Sequence, residues 1–313
     1  MSDHNSPLCN SSHLRLIINA DDVGYSQIRD EGIAECIDAG SVTSCSLLVN
    51  GVSAKSIIIA RCSKVSLGLH LNLTEGCPIG SSYDTLTNEE GFFRGKFGFR
   101  EAIANGKIDS EEISEEIDHQ IRTFWKLTGQ KPTHIDGHQH IHVIPAVMKI
   151  LAPQMVSNAI DITRIPHERQ LNSCHWLSQT SRSFFESVID DALVSKDICL
   201  KNGIHFSDAF LGLSTMGTNM SIRNLQERIC TVLAMWKEKQ PKNAGSTTVM
   251  PWLCELMVHP GYVTGNIGGC GIGPDEFSQS NERQHEMEIL KEMALMNFYQ
   301  KHSIELTSFK TLF

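Results

Sequence analysis

Apolar and polar positions sort the chain into short strand-like runs separated by longer helical ones. Residues 14–20, LRLIINA, form an apolar run of strand length, and the segment after the acidic pair, SQIRDEGIAECIDAG, carries apolar residues at helical spacing. In that helix Ser26 is the expected N-cap, Ile33 and Ile37 lie four apart on one face, and Gly40 is the expected stop. VTSCSLLVNG predicts a second strand closed by Asn50-Gly51, and VSAKSIIIARC a short helix. SLGLHLNLT then alternates, with Leu67, Leu69, Leu71 and Leu73 on one face and Gly68, His70 and Asn72 on the other.

Between residues 75 and 108 the pattern weakens into a Gly- and Phe-rich connection, and it recovers in DSEEISEEIDHQIRTFWKLTG. That segment predicts a helix with Asp109 and Glu112 at capping-box spacing, a buried stripe of Ile113, Ile117, Ile121 and Trp125, and a solvated acidic face. THIDGH predicts a fourth strand, and Pro145 opens a helix over PAVMKILAPQM. DITRIPH and GIHFSDAFLG read as strands, NLQERICTVLAMWKEKQ as a helix, and LCELMVHPG as a strand. NERQHEMEILKEMALMNFYQKHS is then a helix and IELTSF the last strand. About eight β segments alternating with helices predict an α/β protein with a parallel sheet, most simply a closed (β/α) barrel. No low-complexity linker or repeat divides the sequence, so residues 1–313 read as one domain, with 75–130 elaborating one strand-to-helix connection.

Composition narrows the partners. The formal net charge is −9 with no long basic run, which speaks against a nucleic-acid or anionic-membrane surface and for a small-molecule substrate. No run approaches the roughly 18 apolar residues of a membrane span. The polar start, MSDHNSPLCNSSH, lacks the apolar core of a secretion signal, so a cytoplasmic protein is expected. Ten cysteines without a C-x-x-C pair read as reduced thiols, not as a disulfide framework or zinc knuckle. Asn10 and Asn72 match the glycosylation pattern, without consequence in that compartment. The sequence is compatible with a homodimer but does not set the oligomeric state.

The chemically capable residues fall late in their strands. Asp21 and Asp22 end the first, His70 lies near the end of the third, Asp136, His138, His140 and His142 follow the fourth, and His259 ends ELMVHPG. In a barrel such positions share the C-terminal rim, where active sites of this architecture are built. One carboxylate and two imidazoles suit a divalent cation with an open position for water, and Asp22, His70 and His138 are the candidates. Neighbours on a strand face opposite ways, but at its end, with Gly24 permitting a sharp turn, both acids reach the rim from different directions. One can then hold the cation while the other reaches water. Taken singly, the doublet would serve as a helix cap and His70 as a hydrogen-bonded interior histidine, with His134 and His142 as bystanders. Four strand ends together favour a metal hydrolase. Arg164 is a candidate to steer Asp21 or a substrate oxygen, or to be a structural ion-pair partner. GGCGIGPDEF (268–277), Gly-rich but without a phosphate-loop lysine, is either a loop over the pocket or plain surface.

NADDVGYS, GLHLNLTEG, THIDGHQHIH, MVHPGY and GGCGIGPD, in this order over nearly the whole chain, resemble the YdjC-like carbohydrate deacetylases. The resemblance implies a distorted (β/α) barrel of seven or eight strands related to polysaccharide deacetylases. It implies hydrolysis of the acetamido group of an N-acetylated sugar or oligosaccharide with a divalent cation, assigned as Mg²⁺. Mapped residue by residue, it implies Asp21 as general base, Asp22, His70 and His138 as metal ligands, and His259 as the acid. Asp136 matches a family aspartate, for which orienting a metal-bound imidazole is the expected role. Val23 stands where bacterial members often carry an aromatic residue, which bears on the pocket wall. Ligand chemistry pulls against Mg²⁺, since two imidazoles suit Zn²⁺, Mn²⁺ or Fe²⁺ better. The alternatives are a non-haem iron oxygenase, another barrel amidohydrolase or phosphoesterase, and an acetyl-sugar-binding regulator without catalysis.

Overall fold

The computed structural model describes residues 14–56, 59–62, 64–80, 83–240, 251–264, 270 and 276–311. Among them seven strands form one sheet: β1 (Leu14–Val23), β2 (Ser44–Leu47), β3 (Ser66–Leu71), β4 (Ile135–Gly137), β5 (Ala209–Leu211), β6 (Trp252–Val258) and β7 (Ile304–Thr307). Every ladder is parallel and the order is β4-β3-β2-β1-β6-β5. β1 is its axis. β6 pairs with Leu14–Ala20 on one flank, while the other flank is shared by β7, against Leu14–Ile17, and β2, from Asn19 to Val23. A parallel strand covered on both faces can be almost continuously apolar, and all of β1 except Arg15 is buried.

Single parallel bridges, Ile135 to Thr163 and Ile162 to His205, link the two edges of the sheet. The strand expected at DITRIPH is reduced to these bridges. Pro166 cannot donate to a ladder, and Arg164 turns its charge inward among buried acids, so regular pairing stops there. The barrel is therefore curled and distorted, as expected. The second strand is also shorter than predicted, ending at Leu47 where the chain bends.

Helices fill the crossovers: α1 (Gln27–Asp38), α2 (Ile59–Cys62), α3 (Gly95–Ala104), α4 (Ser110–Thr128), α5 (Pro145–Ser157), α6 (Gln179–Lys201), α7 (Ile222–Lys239), α8 (Glu276–Gln279), α9 (Glu282–Leu290) and α10 (Met293–Lys301). No described helix is long and apolar enough to cross a membrane. α1 begins on Ser26, whose side chain accepts the Arg29 amide, and Ile33 and Ile37 face the core. α6, with many polar residues and weak apolar periodicity, was not predicted. The single helix expected after residue 281 is two, broken at Lys291–Glu292, because α9 packs on α1 whereas α10 packs on α7 and β7.

α4 corrects the sequence reading at three positions. Each i+4 step advances about 40° around a helix of 3.6 residues per turn, so three steps from Ile113 carry Trp125 off the buried face. Phe124 takes its place, fully buried, while Trp125 is 62 % exposed. Glu112 does not close a capping box; Asp109 accepts the Glu111 amide, and Glu112 accepts the amides of Asp84, Thr85 and Leu86. Nor is the acidic face wholly solvated. Glu116 is buried and accepts the amides of Ile79 and Gly80 and the side chain of Gln120. These carboxylates fasten the irregular 75–94 connection to α4.

Candidate metal centre and substrate pocket

The acidic doublet is not a helix cap, since Ser26 caps α1. From Ala20 to Val23 the chain takes three steps while its partner takes two, from Cys45 to Leu47, so the ladder slips by one residue in a bulge. Asp22 sits inside it with φ 67°, a left-handed conformation that costs a side-chain-bearing residue of this kind on the order of 1–3 kcal/mol. Gly24 follows at φ 90°, where a Cβ would lie 2.8 Å from the Leu48 carbonyl oxygen. The slip turns two adjacent side chains, which a regular strand would send to opposite faces, toward one rim.

Asp22 faces imidazoles. Its Oδ1 is 3.3 Å from His70 Nε2 and 3.1 Å from His138 Nδ1, and all three residues are buried. The other nitrogen of each ring meets a second carboxylate: His70 Nδ1 lies 2.8 Å from Asp136 Oδ1, and His138 Nε2 lies 2.9 Å from Glu75 Oε2. Burial alone would disfavour charged rings, but the acids around them prevail, raising His70 to about 9 and His138 to about 10. Burial also works against the Asp22 carboxylate and is outweighed by Arg283 and His138, which hold it well below the usual range. Arg283 Nη2 is 2.8 Å from Asp22 Oδ2.

Asp21 faces a guanidinium. Arg164, fully buried, donates through Nη1 to Asp21 Oδ2 at 2.6 Å and through Nη2 to Asp21 Oδ1 at 2.7 Å. The same arginine reaches Glu255 at 2.7 Å and Asp136 at 2.9 Å, and Asn19 donates to Asp21 Oδ1 at 2.8 Å. Arg164 is not among the residues that line the cavity, and its side chain pairs with Asp21, Asp136 and Glu255. His259 completes the rim, its Nε2 3.9 Å from Asp21 Oδ2. Burial, with Arg283 and Arg164 nearby, keeps its imidazole neutral by lowering its pKa well below the ordinary value.

These residues open onto a cavity of about 340 Å³. Asp21, Asp22, His70, His138, His259 and Arg283 line it together with Phe184, Phe185 and Phe277, and the Phe277 ring lies against His259 and Arg283. Val23 lies in the core and is not among the residues that line the cavity. The 268–277 loop falls outside the described residues except for Cys270, Glu276 and Phe277; Cys270 accepts the Cys77 amide.

The donor set fits a divalent cation. Ligand atoms of Asp22, His70 and His138 lie within 4.8 Å of one another, and each ring nitrogen turned away from that point is held by a buried carboxylate, the arrangement that fixes tautomer and orientation in metal-binding histidines. Asp21, His70 and Asp136 also come this close together, but Arg164 already supplies positive charge to both of those acids. His134 stacks on Phe309 with ring centres 4.1 Å apart, and His142 Nε2 meets the Arg164 carbonyl, so neither joins the centre.

Sequence reasoning missed Glu75 and Arg283, and it named His140 among the chemically capable residues without giving it a role. Glu75 follows Asn72, whose side chain accepts the Thr74 and Glu75 amides, and this local turn was the available signal. Arg283 lies 261 positions from Asp22 and carried no local signal.

Comparison with known proteins places the chain. The family model described as YdjC-like protein matches residues 15–301. A Danio rerio protein named carbohydrate deacetylase is 41 % identical, over 95 % of this chain and 98 % of that protein. A Homo sapiens protein of the same name is 43 % identical over 88 % and 84 % of the two chains. A Serratia marcescens protein named chitooligosaccharide deacetylase is 38 % identical over 44 % of this chain and 53 % of its own. A solved Enterococcus faecalis structure, titled a putative cellobiose-phosphate cleavage protein, has the same fold, with TM-score 0.68 and 23 % identity over 96 % of this chain and 99 % of that one. The chain belongs to the YdjC-like family.

Proposed function

We propose that this member of the YdjC-like family is a hydrolase that removes the acetyl group from N-acetylated sugars, with a divalent cation held by Asp22, His70 and His138. The observation that carries the reading is the convergence of those three residues with Asp21 and His259 on one cavity, in a chain whose relatives are named carbohydrate deacetylases. Bound there, the cation supplies Lewis acidity, which polarises a carbonyl and lowers the pKa of water.

The protein's own groups do the rest. Arg164 and Asn19 hold Asp21 from behind in one orientation, so its carboxylate is placed to take a proton from the attacking water. The leaving nitrogen needs a proton in return. A neutral imidazole is a weak donor, so the proton that His259 Nε2 hands on is one it first receives, and Asp21 Oδ2 lies 3.9 Å away. Asp136 and Glu75 fix the two ligand histidines through their outer nitrogens. The phenyl rings offer an apolar wall to a sugar face and exclude water.

Two imidazoles with one carboxylate favour Zn²⁺ or Mn²⁺ over Mg²⁺ on ligand softness, although the family resemblance points to Mg²⁺. An acetate-release screen over N-acetylated mono- and oligosaccharides, with the metal stripped and then restored one ion at a time, tests both substrate and metal. Release that vanishes on stripping and returns on restoring is expected. Acetate release unaffected by stripping would refute the metal-dependent reading, and none from any sugar with any metal would refute the activity.

A further inference from the structure

His140 lines the cavity with an imidazole that the protein itself leaves unsatisfied. The residue is 6 % exposed, and neither ring nitrogen has a hydrogen-bond partner among the described residues. Nδ1 is enclosed by protein, which leaves Nε2 as the ring atom able to meet a ligand. Buried imidazole nitrogens are ordinarily paired: His70, His138 and His142 each bond through a ring nitrogen, although Nδ1 of His142 and of His259 is likewise without a hydrogen-bond partner among the described residues.

The backbone makes the same point independently. Gln139 and His140 lie at φ 53° and φ 60°, two consecutive left-handed residues inside a short 3₁₀ turn over His138–Val143. Glycine adopts this conformation without steric cost, whereas an imidazole-bearing residue does not. If only the turn mattered, glycine would serve position 140 better. A strained backbone that carries an unpaired imidazole into a ligand-sized cavity is the pattern of a residue kept for what its side chain touches.

We propose that His140 binds the substrate directly, its Nε2 exchanging a hydrogen bond with a hydroxyl or the acetamido group of the sugar, as a contact separate from the metal. This rests on the acetyl-sugar reading of the pocket. It predicts that the ring contributes to substrate affinity and leaves the cation untouched.

His140→Gly tests it, because glycine relieves the backbone while removing the ring. The metal-loaded full-length protein is compared with this variant for metal content, melting temperature, and KM and kcat on N,N′-diacetylchitobiose. Binding of the same sugar is also titrated calorimetrically in metal-loaded Asp21→Asn protein, with and without His140→Gly. KM and the dissociation constant are expected to rise about tenfold, the loss of one neutral hydrogen bond, with full metal content and an undiminished melting temperature. His140→Asn, which tolerates the left-handed backbone and keeps a polar group, should fall between and serves if the glycine variant does not fold. Unchanged KM and binding in both variants would overturn the proposal. So would loss of metal, which would make the ring a support for His138. Absence of turnover by the unsubstituted protein together with absence of sugar binding by Asp21→Asn protein would instead count against the deacetylase reading itself.

Discussion

Asp21 and Asp22 are the same residue type, adjacent in sequence and both buried, yet they belong to two different regions. Asp21 is held by Arg164 and Asn19 in a buried polar cluster, where one guanidinium serves Asp21, Asp136 and Glu255, and it reaches the cavity beside His259. Around Asp22 the neighbours are His70, His138 and Arg283, all lining the cavity. In the proposed function the first region positions a carboxylate and the second offers a cation its ligands. Identical side chains thus acquire different chemistry from their partners, although a one-residue bulge turns both toward one rim.

Three experiments would break or sharpen that contrast. The largest effect is expected from a paired test at the two sites. His70→Ala should lose bound metal together with activity, whereas Asp21→Asn should keep its metal while turnover falls by about 10²–10⁴, the usual worth of a positioned proton acceptor. Elemental analysis beside the acetate assay reads both, and equal metal loss in the two variants would end the division of labour.

A smaller effect is expected at Glu75. Glu75→Gln keeps the shape but weakens the hold on His138 Nε2, so metal affinity should fall about 10- to 100-fold while the metal-saturated variant stays active. Competition with a chelator measures it; unaltered affinity would show that His138 needs no such support.

The smallest effect is a proton count. His70 and His138 are raised to about 9 and about 10, so both carry protons at pH 7 before a cation arrives, and binding must displace them. Metal affinity should therefore increase with pH up to that range. Up to about two protons should be released per ion near neutrality, measured by calorimetry in buffers of different ionisation enthalpy. The sign for the metal-free fold is opposite. Both folded values lie above the unfolded value of about 6.5, so this stabilisation is complete below about pH 6.5 and is lost as pH rises through 9 and 10. Affinity independent of pH would place the cation elsewhere.

Much of this was legible along the chain. The alternation of apolar runs gave the parallel α/β order, and polar residues late in strands pointed to the rim where Asp22, His70 and His138 meet. The strand at DITRIPH failed because its alternation could not show that Arg164 turns inward onto three acids. Trp125 failed because an i+4 stripe drifts around the helix, so Phe124 takes the buried position instead. Glu75 and Arg283 escaped because neither stands in a strand.

By itself the sequence determined the type and order of most elements, α6 and the strand at DITRIPH excepted, and the presence of a metal-capable set, since periodicity and residue chemistry are local properties that neighbours along the chain express. Only the tertiary structure decided which acid is clamped by Arg164 and which faces two imidazoles and Arg283, that Glu75 lies against His138, and that His140 opens into the cavity. Those outcomes depend on a register slip between strands and on contacts across as many as 261 positions, and hydrogen bonds and charge pairs act through space, where sequence separation carries no weight.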